Sequence, residues 1–203
     1  MRVRRLLKGS ATTSRTKTCS EGSDRWIPRK TITMKYYYYE SSIDTQYVEK
    51  LIEFLNANTW PITIYFASGG WCNSGWQALL NVLNSEKERI TLIATGKVMS
   101  TAFDIFFSFE WNKRIEYSVL GMYHQSTVDI SINVKWNPVF QSDKAFKLWV
   151  ASYLDHAKEI CRISGMNKLE IQKWNKWDDV YFINTRMQEM LDYNLRIKNI
   201  WHH

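Results

Sequence analysis

The chain of 203 residues is 45% hydrophobic and 23% charged, enough apolar material for one domain with a substantial core. Its formal charge of +7 is unevenly spread: residues 1–35 hold ten basic and two acidic side chains, and the remaining residues hold 17 basic and 18 acidic. The best apolar run, Val98 to Phe109, is too short to span a membrane and is interrupted by Asp104. The three scattered cysteines form no C-x-x-C pair and no metal spacing with the four histidines. These features argue against a membrane span, a disulfide scaffold or a zinc site, and they read as reduced thiols in a cytosol-like compartment.

Residues 1–33 are rich in Arg, Ser and Thr, poor in acids and lack an apolar h-region, so a secretory signal is not expected. The composition predicts a basic, flexible N-terminal arm outside the packed core, with the domain proper over residues 34–203. An organellar transit peptide has the same composition and is the alternative. A nucleic-acid-binding tail is disfavoured because aromatic residues are not interleaved with the charges.

After the arm, Tyr36-Tyr37-Tyr38-Tyr39 reads as a strand, because aromatic side chains suit a pleated, half-buried surface. Asp44 or Thr45 is placed to cap a helix whose apolar face is Tyr47, Leu51, Ile52, Phe54 and Leu55, and Pro61 opens the next strand. The β-branched run Ile62–Ala67 leads into Ser68-Gly69-Gly70. Trp76, Leu79, Leu80 and Leu83 then recur at helical spacing within Ser74–Asn84, and a second buried-strand run, Ile90–Thr95, ends at Gly96. Strand, helix and strand in about 35 residues make a βαβ unit, which closes with one hand. Both glycine turns then fall beyond the carboxyl ends of neighbouring parallel strands, where open α/β sheets place their sites. Glycines there let the backbone turn sharply and present N–H groups. Ser100 stands where the loop becomes a helix over Thr101–Phe109, which puts its hydroxyl at a positive helix terminus. Arg114–Tyr123 alternates in part and is predicted as one strand delivering His124 to the same edge as Ser100. Val128, Ile130, Ile132 and Val134 alternate as a further strand, and Lys144–Ile163 is a long helix in which His156 reads as a helix-face residue without chemistry.

Three of these motifs, in this order, resemble the Clp protease proteolytic subunit (ClpP) family. That family carries a Ser-Pro-Gly-Gly turn, a Gly-x-x-x-Ser-Met nucleophile turn and a strand ending in Met-Ile-His-Gln-Pro. The counterparts here are Ala67-Ser68-Gly69-Gly70, Gly96-Lys97-Val98-Met99-Ser100-Thr101 and Gly121-Met122-Tyr123-His124-Gln125-Ser126. Ser100 lies 30 residues after Gly70 and His124 lies 24 after Ser100, close to the family's spacing, and the resemblance runs from about Met34 to about Leu195. It implies an α/β fold of the ClpP/crotonase type: a stacked ββα spiral with a mainly parallel sheet, a protruding handle helix at Lys144–Ile163 and a basic N-terminal arm. It also implies a serine endopeptidase subunit with Ser100 as nucleophile, His124 as general base and the backbone N–H groups of Gly70 and Thr101 as the oxyanion hole, with no cofactor and no metal. The implied partners are other ClpP-like subunits in a homo- or hetero-oligomeric ring, a Clp-type ATPase and polypeptide substrates, without membrane or nucleic acid. The implied location is cytoplasmic, or an organelle if the arm is a transit peptide.

The third member of the triad is the point of departure. The family's acid closes the motif Leu-Glu-x-x-x-x-Asp, and a gap-free match to Leu169-Glu170-Ile171-Gln172-Lys173-Trp174-Asn175 puts Asn175 in its place. A shift of three or four residues brings Asp178 or Asp179 there instead, although both also read as N-caps of a helical turn before Tyr181-Phe182. An Asn orients an imidazole without neutralising the imidazolium, and Asp to Asn in this role costs on the order of 10⁴ in rate. The gap-free alignment favours Asn175. Asn194 replaces a family glycine at a position expected to need positive φ, and residues 125–142 hold no glycine where the family has a Gly-rich, channel-lining strand. These departures raise two alternatives. One is a catalytically weak or inactive ClpP-like assembly subunit. The other is a crotonase-type enzyme using paired backbone amides without a serine nucleophile, whose usual acidic residues are not evident.

Because the arm's composition sets it apart from the core, deleting Met1–Thr33 is expected to leave the melting temperature nearly unchanged. A fall of many degrees in a thermal scan would show that the arm is docked.

Overall fold

Aromatic and β-branched runs become strands, and the first three lie side by side. β1 (Lys35–Glu40), β2 (Ile62–Ser68) and β3 (Ile90–Met99) pair in parallel in that order, linked by α1 (Thr45–Asn56) and α2 (Gly75–Ser85). The computed structural model describes residues 34–70, 75–125 and 144–201. The arm, the strand expected over Ser126–Val134, Cys19, Cys72 and the two C-terminal histidines lie outside the described residues. The chain continues through α3 (Thr101–Ser108), β4 (Lys113–Ile115), β5 (Leu120–Tyr123), α4 (Lys144–Ile163), α5 (Lys168–Asn175), β6 (Val180–Phe182) and α6 (Asn184–Trp201). The sheet order is β1-β2-β3-β5-β6, with β4 also on β3, and every pairing is parallel except β5–β6.

Two expectations are corrected here. β3 does not stop at Gly96 but runs on to Met99. Phe66 pairs with Ala94 while Ser68 pairs with Val98, so β3 holds extra residues around Gly96, whose φ of +59° suits a bulge. The single strand expected over Arg114–Tyr123 is two. β4 follows Leu92–Ala94 and β5 follows Lys97–Met99, and the break between them faces the irregular stretch of β3.

One sheet face is buried beneath the helices: Tyr39, Ile64, Phe66, Leu92, Ala94 and Val98 form one core with Val48 and Leu51 of α1 and Leu79 and Leu83 of α2. α3 is apolar nearly all round and correspondingly buried, since Thr101, Ala102, Phe103, Ile105, Phe106 and Phe107 are all inaccessible. Phe103 stacks on Tyr123 (5.1 Å) and on Phe182 (5.4 Å), which fixes α3 against β5 and β6. At the other end of α3, buried Lys113 donates from Nζ to the carbonyls of Phe106 and Phe107 (both 3.1 Å) and to Asn194 Oδ1 (2.6 Å). Lys198 Nζ donates to Phe109 O at 2.7 Å. The negative end of a short buried helix thus has two lysine amines donating to it. Burial and the neighbouring Lys198 push the Lys113 pKa well down, and burial pushes that of Lys198 down to about 8.

Asn194 does not hold the positive φ expected of it; it sits inside α6 with an ordinary helical backbone. Its side chain instead bridges α6 to α3 and α4, because Nδ2 donates to Ile163 O (2.8 Å) and Phe107 O (3.3 Å) while Oδ1 accepts from Lys113. The residue there is chosen for its amide. Asn194→Ala leaves Lys113 Nζ and two buried carbonyls short of a partner and is expected to cost about 2 kcal/mol or more of unfolding free energy in a denaturant titration. An unchanged midpoint would contradict this account of the α3–α6 contact.

Candidate active site

β3 passes into α3 through a single residue, Ser100, which holds φ 54° and ψ −128°. An L-residue in that region is strained by roughly 1–3 kcal/mol. A sharp strand–turn–helix with the side chain thrown out at the top of the sheet is how a nucleophile elbow exposes its hydroxyl. Three contacts hold the strain. The Ser100 N–H donates to Met122 O of β5 at 2.8 Å, and its carbonyl accepts from Phe103 N (2.8 Å) and Asp104 N (3.2 Å). Gly70 (φ +86°) packs directly against the turn, where a Cβ would lie 2.7 Å from Met99 O and 2.8 Å from Ser100 Cβ, so no other residue fits.

β5 brings the base. Met99 is level with Met122, which sets Ser100 level with Tyr123; His124, the next residue past the end of β5, reaches across, and His124 Nε2 lies 2.8 Å from Ser100 Oγ. Both side chains are half-buried at the carboxyl ends of parallel strands.

The third position is set by the antiparallel β5–β6 pairing. Gly121, Met122 and Tyr123 face Phe182, Tyr181 and Val180, and one further step of that register puts Asp179 opposite His124. Asp179 Oδ1 lies 3.5 Å from His124 Nδ1, with the carboxylate half exposed. The structure thus brings Asp179, and neither Asn175 nor Asp178, to the imidazole. Asn175 ends α5, and its neighbour Trp174 turns inward, stacked parallel to Tyr123 at 6.2 Å, with its carbonyl held by Gln125 Nε2 at 3.2 Å. One residue round the helix, Asn175 lines a separate cleft of about 490 Å³ with Lys158, Cys161, Arg162 and Tyr193. The helical turn that would have made Asp178 and Asp179 N-caps is absent, because Val180–Phe182 is a strand. The chain covers the distance by reversing at Trp177, which adopts φ +66° while Asp178 N donates back to Lys173 O. A bulky residue in the left-handed region gives no signal in a sequence, so a gap-free alignment does not register the reversal.

The two amides expected to form an oxyanion hole are adjacent: a Cβ on Gly70 would stand 3.1 Å from Thr101 N. The Gly70 N–H is already used, donating to buried Ser68 Oγ at 3.1 Å. A polar cleft of about 590 Å³ runs from Glu40–Ser42 across Ser68–Gly70 to Gly96–Lys97 along the strand ends.

Behind the site sits an acid whose role the sequence did not disclose, although it showed there as the interruption of an apolar run. Asp104 is one turn along α3 from Ser100; its Oδ1 is buried without a partner, and the Tyr123 hydroxyl hydrogen-bonds the carboxyl. Burial pushes its pKa up to about 7, partly offset by that hydrogen bond. The same burial, with Asp104 close by, pushes the Cys161 thiol up to about 12. His156 lies elsewhere, its ring 5.2 Å from Trp76, with its pKa lowered by burial. Among the described residues no group of three or more His, Cys, Asp or Glu could hold a metal ion, and no helix is long and apolar enough to cross a membrane.

No family model and no curated protein matches the sequence. Solved structures do match. The ClpP protease catalytic domain from Plasmodium falciparum is similar at 21% identity over 77% of this chain and 80% of that one, with a TM-score of 0.54. A second peptidase structure from Plasmodium falciparum is 17% identical over 79% and 92% (TM-score 0.52), and a ClpP1 point mutant from Listeria monocytogenes is 16% identical over 77% and 86% (TM-score 0.52). At such identities the likeness establishes the fold: a mixed α/β, mainly parallel ClpP-like architecture.

The buried acid yields a pH prediction. Its folded-state pKa of about 7 lies above the ordinary 3.8, so the stability contributed by its neutral form is fully present below that lower value and is lost as pH rises through the folded one. Asp104→Asn keeps an acceptor for Tyr123 and removes the charge. Its melting temperature is expected to match wild type near pH 4 and exceed it by several degrees at pH 8; a difference that does not grow with pH would refute the assignment.

Proposed function

We propose that this chain is a ClpP-like serine endopeptidase subunit in which Ser100, His124 and Asp179 form the triad. The observation that carries the reading is the 2.8 Å contact between His124 Nε2 and the oxygen of a serine held in a strained strand-to-helix turn. Asp179 faces Nδ1, which favours the tautomer carrying its proton there and leaves the Nε2 lone pair to accept from the Ser100 hydroxyl. As the hydroxyl oxygen attacks the scissile carbonyl, its proton passes to Nε2. The imidazolium is steadied by the Asp179 carboxylate, and the proton then leaves with the amine. The negative oxygen of the tetrahedral intermediate falls to the Gly70 and Thr101 amides, electrostatic help that is worth about 10²–10³ in rate per donor. The 3.5 Å between His124 and Asp179 exceeds a hydrogen bond, and contacts of this kind tighten once substrate is bound. No cofactor and no metal enters these steps.

Assembly into a homo- or hetero-oligomeric ring of like subunits, fed with polypeptide by a Clp-type ATPase, belongs to the same proposal. So do a cytoplasmic location and a division into a basic arm over 1–33 and a peptidase domain over 34–203. Support for assembly comes from exposed Tyr38, Trp60, Trp177, Tyr181 and Ile183, large apolar surfaces of the kind that subunit contacts cover. A weaker enzyme, kept mainly for assembly, is favoured by one observation: the Gly70 amide is occupied.

A fluorophosphonate probe is expected to label the assembled protein, and Ser100→Ala to abolish labelling without lowering the melting temperature. A folded, assembled and unlabelled wild type would establish the non-catalytic reading. On a small peptide ester, Asp179→Ala is expected to cut kcat by about 10³–10⁴. Asn175→Ala and Asp178→Ala should stay within about twofold of wild type, because neither residue faces the imidazole. A collapse of activity in Asn175→Ala would restore the gap-free alignment.

A further inference from the structure

Ser68 is a buried hydroxyl for which the triad has no use. It stands at the end of β2, 1% exposed, at the position where the resembling family's turn has proline. Its Oγ accepts the Gly70 N–H at 3.1 Å, a local side-chain-to-backbone bond across two residues. That N–H is one of the two donors the mechanism needs at the oxyanion, and an amide proton aimed at Ser68 is not aimed at the carbonyl beside Ser100. The Gly70 carbonyl, in the next peptide unit, accepts from Ile43 N at 3.3 Å. Two successive glycines, Gly69 and Gly70, leave the peptide between them, which carries that N–H, free to turn.

We propose that Ser68 is a latch on the oxyanion hole. Its hydroxyl holds the Gly70 amide in the resting enzyme and releases it when negative charge develops on the substrate oxygen. The proposal rests on the serine-peptidase reading of Ser100. The exchange breaks no covalent bond: one neutral hydrogen bond, to Oγ, is traded for a charge-assisted one to an oxyanion, and the second is the stronger. Binding of the ground-state carbonyl gains little from the Gly70 amide while the latch is closed, so its contribution is felt in the transition state.

The test is the second-order rate of fluorophosphonate labelling, because phosphonylation of Ser100 builds negative charge on an oxygen in the same hole. Ser68→Ala removes the competing acceptor and is expected to react about fivefold faster than wild type, the change that follows from losing one ordinary hydrogen bond to the resting amide. Ser68→Thr, which keeps the oxygen, should react at the wild-type rate. Melting temperatures taken alongside identify any variant whose rate merely follows lost stability. If Ser68→Ala labels at the wild-type rate or more slowly, the hydroxyl only shapes or supports the turn and the latch is wrong. If neither wild type nor Ser68→Ala labels, the reading of Ser100 as nucleophile fails, and the latch fails with it.

Discussion

The alignment of three strand ends governs everything at this site. β3 sets Met99 level with Met122 of β5, and β5 sets Tyr123 level with Val180 of β6. Just past the strand ends, Ser100 follows Met99 and His124 follows Tyr123, and one further step of the β5–β6 register sets Asp179 opposite His124, so the three meet at the edge of one sheet. The Ser100 N–H bond to Met122 O fixes the first step within 2.8 Å. A slip of one residue in either pairing would turn the side chain concerned to the other face of the sheet and dissolve the constellation. Because backbone hydrogen bonds hold it, the arrangement does not depend on the side chains it displays.

That edge is stabilised from beneath by α3. The helix is nearly wholly buried, its Phe103 stacks on both Tyr123 of β5 and Phe182 of β6, and Lys113, Asn194 and Lys198 meet its carbonyl end. A strained residue survives only where its surroundings over-determine it. Ser100 meets that condition, with strands on one side, a rigid helix on the other and a glycine against it that admits no side chain. Beneath the same helix, the Asp104–Tyr123 contact ties the element that carries Ser100 to the strand that delivers His124. The surrounding core thus supports the same geometry twice, through the backbone and through a buried polar pair.

Much of this was legible in the sequence. Apolar runs of the right length, helical spacing at Trp76–Leu83 and paired glycine turns lead to a parallel sheet with a crevice at its carboxyl ends, and the fold matches. The order and spacing of Gly70, Ser100 and His124 place them together. What escaped is conformational. The bulge at Gly96, the break between β4 and β5, and the reversal at Trp177 alter which residues face one another, yet none changes composition or periodicity. The consequence fell on the third position, where counting residues favoured Asn175 while strand register brings in Asp179. Asn194 shows the same limit: a substitution read as a backbone requirement is instead a buried amide satisfying Lys113 and two carbonyls.

A crystal structure of the protein treated with a peptide boronate examines the central claim most directly, since the boron would form its bond to the attacking atom itself. The account predicts boron on Ser100 Oγ and His124 Nε2 still in contact. It also predicts Asp179 drawn in to about 2.6–3.2 Å from Nδ1 and the boronate oxygen held by the amides of Gly70 and Thr101. A boronate that leaves Ser100 unmodified, or an adduct with Asn175 at Nδ1 in place of Asp179, would contradict it.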